Sequence, residues 1–422
     1  MASKYDDRRC EVKTWNVLMT FDVNKVRNDF PLLRKNDKLV YLDNASTTQK
    51  PDIVLKAYQD YYTKYNANVH RGMYKIAEEA TAEFELSRKI IADRIGAKSE
   101  NSIIFTSGAT ASINTVAQGW GKRNLKSGDR VLLTEMEHHS NIVPWQMLKS
   151  SLGIKIDYIP VDEEGQLDLS KIDNLITEKT KLISVIHQSN VLGTVNPIKE
   201  IIDKGHQRGC VVLIDGAQSI AHQEIDVEEL GCDFFVFSGH KIYGPTGIGV
   251  LYGSMEKLED MDPFMGGGEM ISTVSKDGFT LNEIPWRFEA GTPAIAEVIA
   301  FKVAINYIKS IGIKNITEYE NNLLEYATTK ILEINEIEAY ACGEIDKGPV
   351  ISFNVKGVHP YDLTQILDQM GVAIRSGHHC AQPLMDIFGV EAMNRISLSF
   401  YNTKNEIDYL VDSIKKSITI IH

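Results

Sequence analysis

Two residues set up the chemistry. Asp215 closes the apolar run Val211–Ile214, and Lys241 comes just after the run Phe234–Phe237, across Ser238-Gly239-His240. Taken alone, a lysine there snorkels to the surface as readily as not. A carboxylate at the end of an apolar strand is costly unless something cationic meets it. Together the pair fits one cofactor, pyridoxal 5′-phosphate. A desolvated lysine holds its amine near neutrality and can carry the aldehyde as a Schiff base. The acid keeps the pyridine nitrogen protonated, which makes the ring an electron sink. The phosphate needs N–H and hydroxyl donors, which Ala109, Thr110, Ser238 and His240 can supply. The first two belong to Thr106-Ser107-Gly108-Ala109-Thr110, a turn that enters a helix after Ile103–Phe105. Such a turn is an anion seat, although by itself it is more commonly a simple N-cap. A nicotinamide enzyme would show GxGxxG after an early strand, and none is present.

Other strand ends add candidates. Val131–Leu133 leads to His138-His139, of which at most one faces a site; an imidazole there can stack on a flat ligand or relay protons. Leu182–Ile186 leads to Asn190, a donor in one reading and a turn cap in the other. Far along the chain, Arg375-Ser376-Gly377-His378-His379-Cys380 sets a thiol among Arg, Gly and His, where positive charge would favour thiolate. Cys210 and Cys232 lie beside apolar runs, as buried structural cysteines do. Zinc is a poor reading of His-His-Cys, because adjacent residues seldom aim at one metal and no fourth ligand is near; no metal is expected. Arg395, like Arg375, could clamp an α-carboxylate.

Short, continuous apolar runs between residues 100 and 252 alternate with amphipathic stretches, which predicts an α/β domain with a mainly parallel sheet buried on both faces. Ligands in such domains sit beyond the C-terminal strand ends, where these candidates fall. A helix over Ala296–Ile311 leads into a mixed segment, and residues 266–285 form a long surface excursion. The expected division is a 1–18 extension, disordered or not translated, with Met19 as the start; a 19–35 segment packing with the small domain; a 36–300 large domain; and a 301–422 small domain. The 422 residues carry a net charge of −12, which weakens any case for nucleic acid. No apolar stretch nears the ~20 residues that span a bilayer. Residues 1–18 lack a signal-peptide pattern, and five cysteines without a CxxC pair suit a reducing cytoplasm.

In order along the chain, YLDNASTTQKP (41–51), NVHRGMYKIA (68–77), EMEHHSNIVPWQML (135–148), SNVLGTVNP (189–197), DGAQS (215–219), FSGHKIYGPTGIGVLY (237–252), WRFEAGTP (286–293) and RSGHHCAQPLM (375–385) resemble the cysteine desulfurases, specifically their SUF-type (group II) branch. The resemblance implies the class-V aminotransferase-like, pyridoxal-phosphate fold type I architecture: a large domain with a seven-stranded sheet, a smaller α+β C-terminal domain, and a homodimer. By the same resemblance Lys241 bears the cofactor, Asp215 pairs with the pyridine nitrogen, Gln218 bonds the phenolic oxygen, and His138 stacks on the ring near Asn190. Thr110, Ser238 and His240 hold the phosphate, joined by Thr292 of the partner subunit. Cys380 takes the substrate sulfur, Arg395 clamps the carboxylate, and Arg375 and His70 line the entrance. The 266–285 excursion matches a hairpin that reaches across the dimer. The implied activity converts L-cysteine to L-alanine and a Cys380 persulfide, which passes to a SUF-type acceptor protein for iron–sulfur cluster assembly. The alternatives are a selenocysteine lyase acting on L-selenocysteine and a non-catalytic, cofactor-binding regulatory homologue. One departure stands out: Thr110 is followed by Ala111, where the family usually has Glu.

Overall fold

The computed structural model describes residues 21–343 and 345–421. The expectations for residues 1–18 and for a start at Met19 lie outside the described residues, as does Cys10.

Seven strands make the large sheet: β1 Ile103–Thr106, β2 Arg130–Thr134, β3 Lys155–Ile159, β4 Thr180–Ile186, β5 Val211–Asp215, β6 Phe234–Ser238 and β7 Gly249–Gly253. They lie in the order β1-β7-β6-β5-β4-β2-β3, and every pairing is parallel except the two made by β7. This is the mainly parallel, seven-stranded α/β sheet of fold type I. Its strands read as uninterrupted apolar runs because helices cover both faces; Phe234 to Phe237 have no exposed surface at all. The apolar-run pattern passes over β3. Its Lys-Ile-Asp-Tyr-Ile alternates because β3 is the edge strand, with only Ile159 fully buried. Helices Asp52–Lys64, Lys75–Arg94 and Ile295–Ile311 pack together over one face. The second of these is closed by Gly96 just past its end, at φ +69°, a left-handed conformation that glycine adopts freely.

The 266–285 excursion holds an exposed hairpin, β8 Ile271–Val274 and β9 Phe279–Leu281. A second sheet is antiparallel and four-stranded: β10 Ile337–Tyr340, β11 Val350–Val355, β12 Arg375–Gly377 and β13 Met393–Ser397, in the order β10-β11-β13-β12. The chain before β1 joins it. Val40–Tyr41 pairs in parallel with Val372–Ala373, and Asp43 bridges to Ser397. Phe30, fully buried, packs on Tyr401 with ring centroids 4.6 Å apart. Residues 40–50 therefore run along the seam between the two sheets, an arrangement with no counterpart in the local sequence pattern.

Candidate active site

β5 and β6 are adjacent and parallel, with Asp215 level with Val236. The register brings Asp215 and the turn after Ser238 to the same end of the sheet, and with them Lys241. The cavity there has a volume of about 260 Å³. Its walls include Ala109, Thr110, His138, Asn190, Asp215, Gln218, Ser238, His240, Lys241, Arg375, Cys380 and Arg395. Of the residues singled out in the sequence, only two stand apart. His70 and Thr292 line a separate hollow of about 150 Å³ with Arg71 and Glu269. Two residues in the cavity wall, Ala45 and Ser46, follow none of the strand ends read from the sequence. Both come from the seam segment, which only long-range pairing brings to the cavity.

Electrostatics separate the two cofactor candidates. Burial lowers Lys241 to about 8 against the opposing pull of the Asp215 carboxylate, and the Arg395 and Arg375 guanidiniums lower it further. Its amine is therefore available at near-neutral pH. Burial raises Asp215, while the Ala217 N–H, donating to Oδ1 at 2.9 Å, and then Lys241 hold it down. Burial and then the charge of Lys241 depress His138 to about 3, so its ring is neutral. Its Nδ1 accepts the Ser140 N–H at 3.1 Å, which leaves the proton on Nε2.

Glu137, one residue earlier, is fully buried and pushed up to about 8 by that burial. Its carboxyl accepts from Thr134 Oγ1 at 2.8 Å, the Ile186 N–H at 2.9 Å and Asn141 Nδ2 at 2.7 Å, bracing the His138 loop against β4. Sequence reasoning missed it, although a second acid between a strand and His138 is a visible signal.

The phosphate candidates surround the start of the helix Ala109–Val116. Gly108 caps it without a side-chain bond, and Ser238 Oγ accepts the Ala109 N–H at 2.8 Å. Thr110 Oγ1 and Ser140 Oγ are 2.7 Å apart. A Cβ at Gly249 would lie 2.4 Å from Gly108 Cα, so β7 can approach this turn only as glycine. The His240 carbonyl accepts from Thr48 N–H and Oγ1, both at 3.1 Å, and from Lys50 Nζ at 3.0 Å, which fixes the peptide before Lys241. Gln218 Nε2 donates to the Ala45 carbonyl at 2.9 Å, so its side chain also faces the seam.

The thiol arrives on a different kind of element. His379 and Cys380 are both left-handed, at φ +51° and +57°, after Gly377 at φ +121°. The His139 N–H donates to the Cys380 carbonyl at 2.7 Å, and Asn190 Nδ2 to the His379 carbonyl at 2.8 Å. Burial, then Arg395, keeps the adjacent His379 neutral, and burial lowers His139 as well. Arg375 and Arg395 line the same cavity as Cys380. Arg395 is 2% exposed, donates from Nη1 to the Asn190 carbonyl at 2.8 Å, and leaves Nε buried without a partner.

The donor set fits pyridoxal phosphate. There is a near-neutral amine, a buried carboxyl, a helix start whose glycine cap has no side chain and which hydroxyls flank, and two orphaned buried polar atoms, Asn190 Oδ1 and Arg395 Nε, at the cavity wall. Among the described residues no group of three His, Cys, Asp or Glu side chains could hold a metal ion.

The chain is similar to known proteins along almost its whole length. The aminotransferase class-V family matches residues 40–410. A probable cysteine desulfurase of Halalkalibacterium halodurans is 45% identical over 399 residues, covering 94% of this chain and 98% of its own. A cysteine desulfurase of Escherichia coli is 46% identical over 402 residues, with the same coverage. The crystal structure of the cysteine desulfurase CsdA from Escherichia coli, in its S-sulfonic acid form, superposes with a TM-score of 0.89 at 37% identity, covering 95% of this chain and all of that one.

Proposed function

The chain belongs to the aminotransferase class-V family and, within it, to the cysteine desulfurases, and from that premise we propose which of its residues carry sulfur from L-cysteine to an acceptor. The observation that supports the assignment is a single cavity holding a near-neutral lysine, a buried acid, a neutral imidazole, a thiol and a buried guanidinium. Pyridoxal phosphate supplies the electron sink that makes the substrate Cα proton acidic and lets the Cβ–S bond break. Lys241 would anchor the cofactor, and its Nζ would take the substrate Cα proton. Asp215 would hold the pyridine nitrogen, and Gln218 the phenolic oxygen. Ala109, Thr110, Ser238 and His240 hold the phosphate. His138 would bind the flat ring, and its Nε2 would relay a proton to the reacting groups. Arg395 and Asn190 hold the substrate carboxylate, with Arg375 beside them.

The Cys380 thiolate attacks the substrate sulfur. One Cβ–S bond breaks and one S–S bond forms, giving L-alanine and a persulfide on Cys380. The compact loop RSGHHCAQPLM supports placement in the SUF-type branch, with a SUF-type acceptor protein that receives the sulfur for iron–sulfur cluster assembly. Thr292, His70 and the hairpin belong, in this reading, to a homodimer in which each protomer completes its partner's site. Val274 and Phe279 on the hairpin are 67% and 61% exposed, a surface suited to such a contact. The setting is the cytoplasm; no described helix is long and apolar enough to cross a membrane. The small domain of residues 301–422 carries the thiol loop to the large one.

The test adds L-cysteine to the cofactor-loaded protein and measures alanine, sulfide and the ultraviolet–visible spectrum together. Equal yields of alanine and total sulfur are expected. Alanine without sulfur on Cys380 would overturn the assignment of the thiol.

A further inference from the structure

Arg375 and Arg395 stand directly opposite each other in the β12–β13 register. Like charges so placed in an antiparallel pair repel, and Arg395 has almost no contact with water to screen it. Two side chains of the seam segment keep them together. Ser46 Oγ accepts from Arg375 Nη1 at 2.7 Å and from Arg395 Nη2 at 2.9 Å. It donates in turn to Asp43 Oδ1 at 2.7 Å, and the same oxygen accepts from Arg395 Nη2 at 2.8 Å. One hydroxyl thus bridges two guanidiniums, and one carboxylate offsets one of their two charges. The neighbouring rings of His138 and His379 are neutral and add no charge.

We propose that Asp43 and Ser46 set the charge specificity of this clamp, holding it at one net positive charge so that it accepts an amino acid with one carboxylate and a neutral side chain. The proposal rests on the reading of Arg395 as the carboxylate clamp. Without Asp43 and Ser46, two facing guanidiniums would form a site for two carboxylates, and an acidic amino acid would occupy it. With them in place, a side-chain carboxylate approaches a pair whose charge Asp43 has already halved, and finds Arg375 Nη1 engaged on Ser46. L-Cysteine carries its side chain as a neutral thiol and avoids both penalties. Asp43 and Ser46 are positioning residues: they act on substrate choice through the two arginines.

The experiment is calorimetric titration of cofactor-loaded protein with L-alanine and, separately, L-aspartate. The native protein should prefer L-alanine. Asp43→Asn should shift the ratio of the two dissociation constants toward L-aspartate by about tenfold or more. Ser46→Ala should shift it the same way by a smaller factor, about threefold, and Asp43→Glu should restore the native preference. A ratio within twofold of native in Asp43→Asn would overturn the proposal, whether both affinities stay put or weaken in parallel as a merely structural role requires. Should Asp43→Asn fail to fold, the ratio in Ser46→Ala decides in its place. Arg395→Lys separates the premise: if it leaves both affinities unchanged, the clamp reading itself fails. If it weakens both while the ratio in Asp43→Asn holds, only the specificity proposal fails.

Discussion

The two halves of the site are built by opposite means. Asp215 and Lys241 follow adjacent parallel strands whose register is fixed by a full backbone ladder and whose side chains are buried on both faces. Cys380 sits in a loop where two consecutive non-glycine residues are left-handed, a conformation that costs roughly 1–3 kcal/mol each where the surroundings impose it. What holds that loop is a set of bonds from the other sheet's loops, chiefly the His139 N–H and the Asn190 amide. In the proposed reading, a flat cofactor that must not shift is thus carried by the most cooperative part of the fold. A thiol that must reach a substrate sulfur and then an acceptor is carried by a loop whose placement depends on a few side-chain contacts. The two halves should therefore be separable by substitution.

The largest effect follows from removing either reactive group. Lys241→Ala should abolish the visible absorption band of the loaded protein and lower sulfide release by about a thousandfold, the scale of a positioned base and nucleophile together. Cys380→Ser should lose sulfur transfer on a similar scale yet keep the band at native intensity. Spectra and sulfide assays on the two variants read this directly. If Cys380→Ser also lost the band, the halves would not be independent.

Gly249→Ala comes next. The added Cβ would press within 2.4 Å of the Gly108 backbone, which has no flexible side chain to yield. Overpacking of this kind costs about 1–3 kcal/mol. Both the melting temperature and cofactor affinity should fall, while the thiol loop remains intact by its reactivity toward a thiol reagent. Equilibrium dialysis of cofactor against the variant checks the second part.

A pH series tests the cofactor half alone. Burial lowers Lys241 to about 8, so below that pH its amine is mostly protonated and above it mostly free. The rate of cofactor uptake by apoprotein should therefore rise about tenfold per pH unit up to pH 8 and level off beyond it. An ordinary lysine would keep gaining until about pH 10.5. The same shift penalises the folded apoprotein below about pH 8, so its stability should rise as the pH goes from about 8 to 10.5. In that window the unfolded chain binds the proton that the folded one has already released.

The same contrast explains what could be read in the sequence. The cofactor half is legible because its residues follow apolar runs that declare themselves as buried strands, and Asp215, Lys241, His138 and Asn190 all fall at such ends. β3 was not, because an edge strand with Lys155 and Asp157 alternates and lacks the continuous run. Asp43 and Ser46 were invisible as partners of the two arginines because nothing local announces a pairing across some 350 residues. The neutrality of His379 was not legible either, since the burial that lowers it cannot be read from a motif.

Gly377 sharpens the comparison at its weak end. It is left-handed at φ +121°, and a Cβ there would come within 3.2 Å of the Tyr361 hydroxyl, the end of an exposed side chain that can swing away. Sterics are therefore cheap and the backbone term dominates, about 1 kcal/mol for alanine at a glycine conformation. Gly377→Ala should leave the visible band and cofactor affinity native and lower the melting temperature by only a few degrees. Because the strain falls three residues before Cys380, the rate of persulfide formation should drop by about three- to tenfold while the KM for L-cysteine holds. A change in KM with an unchanged rate would mean instead that the strain travels along β12 into Arg375, and that the thiol loop and the carboxylate clamp move as one unit.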